Sequence, residues 1–311
     1  MKAFLFPGQG AQAPGMGKDF YDAFPVARHT FEEADELLSF SLSKILFSGT
    51  AEELTQTRYS QLALFVHSVA LMRTLLEQIP SCLPDVCSGL SLGEYTALCA
   101  SKRLSFPETL ALVRMRAELM NSACRSTEGA MSAVLGPLYP EVEEIMKTLK
   151  QPSQAWIANY NCPRQTVISG TKEGVEAAGA LLKGAGAKRV IPLQVDGAFH
   201  SPLMQSAQDG LTPSIEAASI QQSPIRFVMN VPGDFVDDPA AVKKNLAAQV
   251  THSVRWEQGI QAMANQGVSL YLEIGCGTTL RGMNAKIVPD SQTLSLGKVS
   301  DLDQIARQIC S

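Results

Sequence analysis

The sequence predicts an α/β fold built on a largely parallel sheet, with a smaller unit of different texture set into it. Three observations carry this. Short apolar runs alternate with helical patterns along most of the 311 residues, as in βα units stacked on a parallel sheet. At about 150 residues per domain, that length predicts roughly two domains and a sizeable core. Between residues 125 and 196 the order changes to β-α-β-β-α-β, that of the ferredoxin-like unit.

Taken in order, Ala3–Phe6 reads as a buried first strand. Residues 27–38 carry Phe31, Ala34, Leu37 and Leu38 at helical spacing, and residues 61–76 put Leu62, Phe65, Val66, Val69 and Met72 on one helix face. Residues 86–88 form a short strand running into a glycine turn. Residues 94–100 open the next helix, and residues 106–124 form another with Pro107 in its first turn. The middle unit reads as strand 130–135, helix 140–149, strands 155–160 and 165–169, helix 172–183 and strand 188–195. Helices and a strand at 270–273 then resume the larger pattern. The predicted division is a large domain from 1–124 and 197–311, and an insert at 125–196.

Composition narrows the function classes. With 45% hydrophobic and 18% charged residues the chain is not disordered. Twenty-six basic against 30 acidic residues give a net charge of −4, which excludes a strongly basic nucleic-acid binder. The longest apolar run is Leu62 to Val66, far short of the about 20 residues a membrane span needs. The apolar start ends at Pro7, too short for a secretory core, so it is expected to be the first strand of a mature protein. Seven cysteines without a C-x-x-C pair read as free thiols in a reducing, cytoplasmic setting, with no metal site expected.

The chemical-looking segment is Gly89-Leu90-Ser91-Leu92-Gly93, a G-x-S-x-G between a predicted strand and a predicted helix. There a serine sits on a strained turn with its hydroxyl exposed, beside helix N–H groups suited to an oxyanion. A chance G-x-S-x-G in a glycine-bearing loop is the alternative. Of the four histidines, His67 lies in an apolar helix and reads as a satisfied core or surface residue, and His29 as solvated. His200 follows a strand and a turn, C-terminal to the serine, which fits the chain order of hydrolase-like sheets. Asp196, four residues before it, reads as structural, because a triad carboxylate normally comes from a separate loop.

Gly8-Gln9-Gly10-Ala11-Gln12-Ala13 satisfies G-x-G-x-x-[GA] after a strand, as a dinucleotide site would. Pro14, Gly15 and Gly17 break the helix such a site needs. A glycine turn that brings the Gln9 backbone N–H to another site explains the residues better.

With these residues in view the chain resembles the malonyl-coenzyme A:acyl carrier protein transacylase family of fatty-acid synthesis. The resemblance spans essentially the whole sequence. It includes Phe6-Pro7-Gly8-Gln9-Gly10, Thr57 to Leu64, the elbow through Glu94-Tyr95, Met115-Arg116, Asn161 to Gln165, Gly197 to Ser201, Gln249-Val250 and Glu273 to Gly277. It implies a hydrolase-like large domain with a ferredoxin-like insert. It further implies a ping-pong reaction with Ser91 as nucleophile and His200 as base, then acid. By the same resemblance the backbone N–H groups of Gln9 and Leu92 form the oxyanion hole, and the Gln249 carbonyl orients His200. Arg116 holds the malonyl carboxylate, Phe199 leaves little room for a methyl branch, and Gln61, Asn161 and Gln165 line the pocket.

Without the resemblance, Arg114 and Arg116 stay indistinguishable, although two positions apart on a helix they cannot share a pocket. Leu90 stands where the family usually has histidine, and Cys276 where it usually has proline.

The implied partners are malonyl-coenzyme A, as substrate, and acyl carrier protein. No cofactor, nucleic acid or membrane is expected, and the chain is expected to be monomeric. Lys183, Lys188 and Arg189 are candidates for a basic patch facing the anionic carrier. The rivals are a serine hydrolase or thioesterase using the same Ser91 and His200, a non-catalytic carrier-binding module, and a nucleotide-dependent oxidoreductase.

Overall fold

The structure, a computed structural model, describes residues 1–136, 141–149, 154–195 and 197–309. In chain order its strands are β1 (Lys2–Phe6), β2 (Val86–Gly89), β3 (Gly129–Leu135), β4 (Ala155–Cys162), β5 (Gln165–Thr171) and β6 (Arg189–Pro192). They continue with β7 (Arg226–Met229), β8 (Asp234–Phe235), β9 (Val254–Arg255), β10 (Leu270–Ile274) and β11 (Gln292–Leu296).

β1 is apolar on both faces, and residues Ala3 to Phe6 are fully buried. Such a strand belongs in the interior of a helix-covered parallel sheet. It lies inside the order β11-β10-β1-β2-β7-β8, paired in parallel with β2 and β10; only β8, antiparallel to β7, breaks the pattern. The second sheet has the order β6-β3-β5-β4-β9. Its first four strands pair antiparallel, which is the ferredoxin-like arrangement, and β9 joins the edge in parallel with β4. Because β9 comes from the later part of the chain, the small sheet is laced to the larger body.

Strand periodicity divides the small sheet into two faces. Val134 and Ile168 point to the helices Val142–Lys147 and Lys172–Gly184, where they pack with Ile145, Val175 and Leu182. Met131 and Val167 point the other way, against Met120, Phe199 and Met204 of the large body. The functional cleft forms on that second face.

Local departures from expectation have local causes. The strand expected over 188–195 is a ladder only from Arg189 to Pro192. Pro192 has no N–H, and beyond it the Val195 N–H turns back to the Leu193 carbonyl. The helix expected over 140–149 spans Val142–Lys147; Pro140 lies outside the described residues, as does Asp196. The Thr57–Gln78 helix is buried on almost every side rather than along one stripe, since it lies between other helices and the sheet.

One consequence is His67. It is fully buried, and neither ring nitrogen has a hydrogen-bond partner, so it is not the satisfied residue expected. Gly17 makes room for its ring, since a Cβ there would lie 2.8 Å from both His67 and Phe31. Burial pulls the imidazole down to about 4, against weak opposition from the Asp19 charge. The unfolded chain therefore takes up a proton below its ordinary value of about 6.5 while the native state does not. Stability is lost as pH falls through that window, by about 2 kcal/mol between pH 7 and pH 5 for one such histidine. We expect His67→Leu to reduce the acid-side loss by that amount, measured by urea unfolding at the two pH values. An unchanged pH dependence in the variant would refute this account of His67.

Candidate active site

The turn between β2 and the Leu92–Ala100 helix is held by close backbone packing. A Cβ on Gly89 would lie 2.0 Å from the Gly93 carbonyl oxygen, and one on Gly93 would lie 2.1 Å from the Phe6 carbonyl oxygen. Only hydrogens fit at either place. Between them Ser91 takes φ 54° and ψ −106°, a conformation that costs a non-glycine residue about 1–3 kcal/mol and persists only where its surroundings enforce it. The helix starts at Leu92, directly after the strained residue and two positions before the expected start.

Asn230, just past β7, clamps this turn. Its side chain accepts from the Ser91 N–H at 2.7 Å and donates to the Gly89 carbonyl at 2.7 Å. Its own N–H donates to Glu94 Oε1 at 2.6 Å. Sequence reasoning missed both residues and the strand β7. The signal was present in the apolar run Phe227-Val228-Met229, bracketed by Pro224 and Pro232-Gly233.

Ser91 Oγ lies 2.8 Å from His200 Nε2, and His200 Nδ1 lies 2.8 Å from the Gln249 carbonyl oxygen. A carbonyl can only accept, so Nδ1 carries the proton and Nε2 presents its lone pair to the serine. His200 itself has φ 58°, and its N–H is tied to the Val250 carbonyl. Burial, then the nearby Arg116 charge, lowers its pKa to about 4. The imidazole is thus neutral, ready to accept a proton.

Arg116 is 1% exposed and belongs to the same cluster. Its Nη1 donates to Gln61 Oε1 at 2.5 Å. Its Nη2 lies 2.9 Å from Gln249 Oε1 and 3.1 Å from Ser91 Oγ. Its guanidinium carbon stands 5.4 Å from the Tyr95 ring centre, while its Nε is buried without a partner. Arg114 points away and pairs at the surface with Glu118 at 3.0 Å. The structure thereby separates two arginines that the sequence could not.

Beside this cluster is a cavity of about 230 Å³, reached by Ser91, His200, Phe199, Asn161 and Gln165 together with Gln9. Leu90 also reaches it, so the residue in the family's usual histidine place adds apolar wall. Gly8 seats the N-terminal turn on the elbow, because a Cβ there would lie 2.5 Å from the Leu90 carbonyl oxygen. The Gln9 side chain turns aside to Thr57 Oγ1 at 3.3 Å. The Leu92 N–H belongs to the first helical turn, whose N–H groups have no intrahelical partner.

Gln61 and Gln249 are not on the cavity wall; both lie fully buried behind it, against Arg116. Lys183, Lys188 and Arg189 are exposed on the small lobe. Among the described residues no group of three or more His, Cys, Asp or Glu could hold a metal ion, and no helix is long and apolar enough to cross a membrane.

The elbow packing is testable. Gly89→Ala or Gly93→Ala should destabilise the fold by more than about 2 kcal/mol, since backbone must move to admit the methyl. Gly10→Ala, at φ +99° with open space around it, should cost less, about 1–2 kcal/mol from backbone strain alone. Chemical denaturation of the three variants measures the order, and equal losses would remove the packing argument.

The acyl transferase domain model matches residues 3–288. The chain is 42% identical over 304 residues to the malonyl CoA-acyl carrier protein transacylase of Bacillus subtilis, covering 97% of this chain and 94% of the relative. It is 36% identical to that of Haemophilus influenzae, covering 97% of each. The solved structure of the acyl-carrier-protein-S-malonyltransferase from Bartonella henselae superposes with a TM-score of 0.94 at 36% identity, covering 100% of this chain and 99% of that one. A malonyl-transacylase solved in complex with its type II polyketide-synthase acyl-carrier protein is likewise similar, with a TM-score of 0.94 at 34% identity, covering 99% of both chains. With the serine, histidine and arginine meeting at one atom and agreement over nearly the full length, this chain belongs to the malonyl CoA-acyl carrier protein transacylase family.

Proposed function

We propose that this chain moves a malonyl group from coenzyme A to the phosphopantetheine thiol of acyl carrier protein, through a malonyl ester on Ser91, and so supplies fatty-acid synthesis. The observation that carries the reading is that Ser91 Oγ lies within hydrogen-bond distance of both His200 Nε2 and Arg116 Nη2. Nucleophile, base and a reader of negative charge converge on one oxygen.

In the first half-reaction His200 Nε2 takes the Ser91 proton as Oγ attacks the thioester carbonyl. The tetrahedral oxyanion faces the N–H groups of Gln9 and Leu92. As the C–S bond breaks, His200 returns the proton to the departing coenzyme A sulfur, leaving the acyl-serine. In the second half the carrier thiol gives its proton to His200 and attacks the ester, and Ser91 leaves with that proton.

Throughout, Arg116 pairs with the distal carboxylate. Its Nη2, 3.1 Å from Ser91 Oγ, is the edge nearest the reacting oxygen, and a guanidinium edge pairs with a carboxylate through two parallel bonds. Gln61 and Gln249 hold that edge in place, and Phe199, Asn161 and Gln165 shape the remaining wall. No cofactor is needed, since coenzyme A is the leaving group of the donor. The reading places the protein in the cytoplasm as a monomer, with carrier attraction supplied locally by groups such as Lys188 and Arg189.

Incubation with malonyl-coenzyme A should add the mass of one malonyl group, and Ser91→Ala should abolish it. An unlabelled wild-type protein would sink the proposal, and release of free malonate faster than transfer at saturating carrier would replace it with a thioesterase. Arg116→Ala should lower kcat/KM for malonyl transfer by roughly 10- to 100-fold, the scale of a charged hydrogen-bonded contact. An uncharged acetyl donor should be spared. Equal loss on both donors would remove Arg116 from its role.

A further inference from the structure

Glu94 is fully buried beneath the elbow and takes no part in the chemistry described above. Both of its oxygens accept from N–H groups: Oε1 from the Asn230 backbone at 2.6 Å, and Oε2 from the Gln249 side-chain amide at 2.5 Å. That is the bonding pattern of a carboxylate. The same Gln249 nitrogen donates to the Ser91 carbonyl at 2.9 Å, while the Gln249 amide oxygen accepts from Arg116 Nη2 at 2.9 Å.

A side-chain amide has a donor end and an acceptor end and can be seated either way round. Here one seating fits. Glu94 and the Ser91 carbonyl are both acceptors and demand the NH₂ end, which leaves the oxygen for Arg116. Gln249 thus passes the orientation of an acid on one side to a guanidinium on the other. We propose that Glu94 is a positioning residue for acyl-group selection, acting through the Gln249 amide to aim Arg116 at the carboxylate of the donor. This rests on the acyl-transfer reading above.

Replacing the acid by its amide shows what is at stake. In Glu94→Gln the Asn230 N–H still claims the oxygen, so the new NH₂ group faces the NH₂ of Gln249. Relief requires Gln249 to turn over. That points its NH₂ at the guanidinium and leaves the Ser91 carbonyl without its donor, so Arg116 Nη2 loses the Gln249 acceptor and with it its aim. A donor without a distal carboxylate makes no use of Arg116 and feels this less.

The test measures kcat and KM with malonyl- and acetyl-coenzyme A for wild type, Glu94→Gln and Glu94→Asp, with thermal melting to follow the fold. Glu94→Gln should lower the malonyl-to-acetyl ratio of kcat/KM by roughly tenfold or more, chiefly through KM for the malonyl donor. Glu94→Asp keeps the acceptor, one methylene short, and should lose only part of the preference. An equal fall on both donors, or an unchanged ratio, overturns the proposal. Should Glu94→Gln not fold, Glu94→Asp decides alone: a partial fall in the ratio supports the role, and an unchanged one overturns it. Failure of the wild-type protein to accept malonyl is a separate result, which removes the acyl-transfer reading and not only the role of Glu94.

Discussion

A guanidinium at 1% exposure with no carboxylate bonded to it is the constraint on which the site depends. A buried cation costs several kcal/mol unless its hydrogens are met and its charge is answered nearby. Arg116 is met by neutral oxygens from Gln61, Gln249 and Ser91, and by the face of Tyr95. At one remove stands Glu94: burial raises its pKa, while the N–H groups donated to both its oxygens and the nearby Arg116 favour its charged form. The arrangement leaves Nε unclaimed. A cation held by neutral oxygens, with no carboxylate bonded to it, is suited to an incoming anion in a way that a completed salt bridge is not.

Much of this was legible in the sequence because it depends on local chemistry. G-x-S-x-G reports a backbone too crowded for Cβ atoms, and the contacts at Gly89 and Gly93 are that crowding. The alternation of elements and the β-α-β-β-α-β order of the insert reflect side-chain periodicity, which a single chain displays. Arg116 against Arg114 was not legible from spacing, because helix phase tells only that they diverge and not which one faces inward. Glu94 was visible only as one more acidic residue of the elbow helix. Its burial, and the clamp by Asn230, depend on β7 arriving 140 residues after the elbow's strand begins to pair, as in Val86 opposite Arg226, and nothing local announces that.

The cleft exists because one domain is set into another. Its floor is the elbow and the N-terminal turn of the large body, and its roof is the polar and apolar face of the small sheet, with Asn161, Gln165 and Val167. β9 matters here. It follows closely on Gln249 and Val250, which hold His200, and pairs with β4, which bears Asn159 and Asn161. Roof and base therefore share a short piece of chain.

The interior place of β1 has a consequence for how the protein is made. One edge of that strand is covered by β2 within the first ninety residues, but the other awaits β10, with Lys2 opposite Leu270. On the ribosome this central strand keeps an open apolar edge until β10, far later in the chain, has been synthesised. Pairings this distant in sequence are slow to form, and bare strand edges invite association. The insert, whose four antiparallel strands lie within residues 129–192, has no such wait. Nascent chains that stop short of β10 should accordingly be a demand on chaperones, with the small lobe already folded and the catalytic sheet still unfinished.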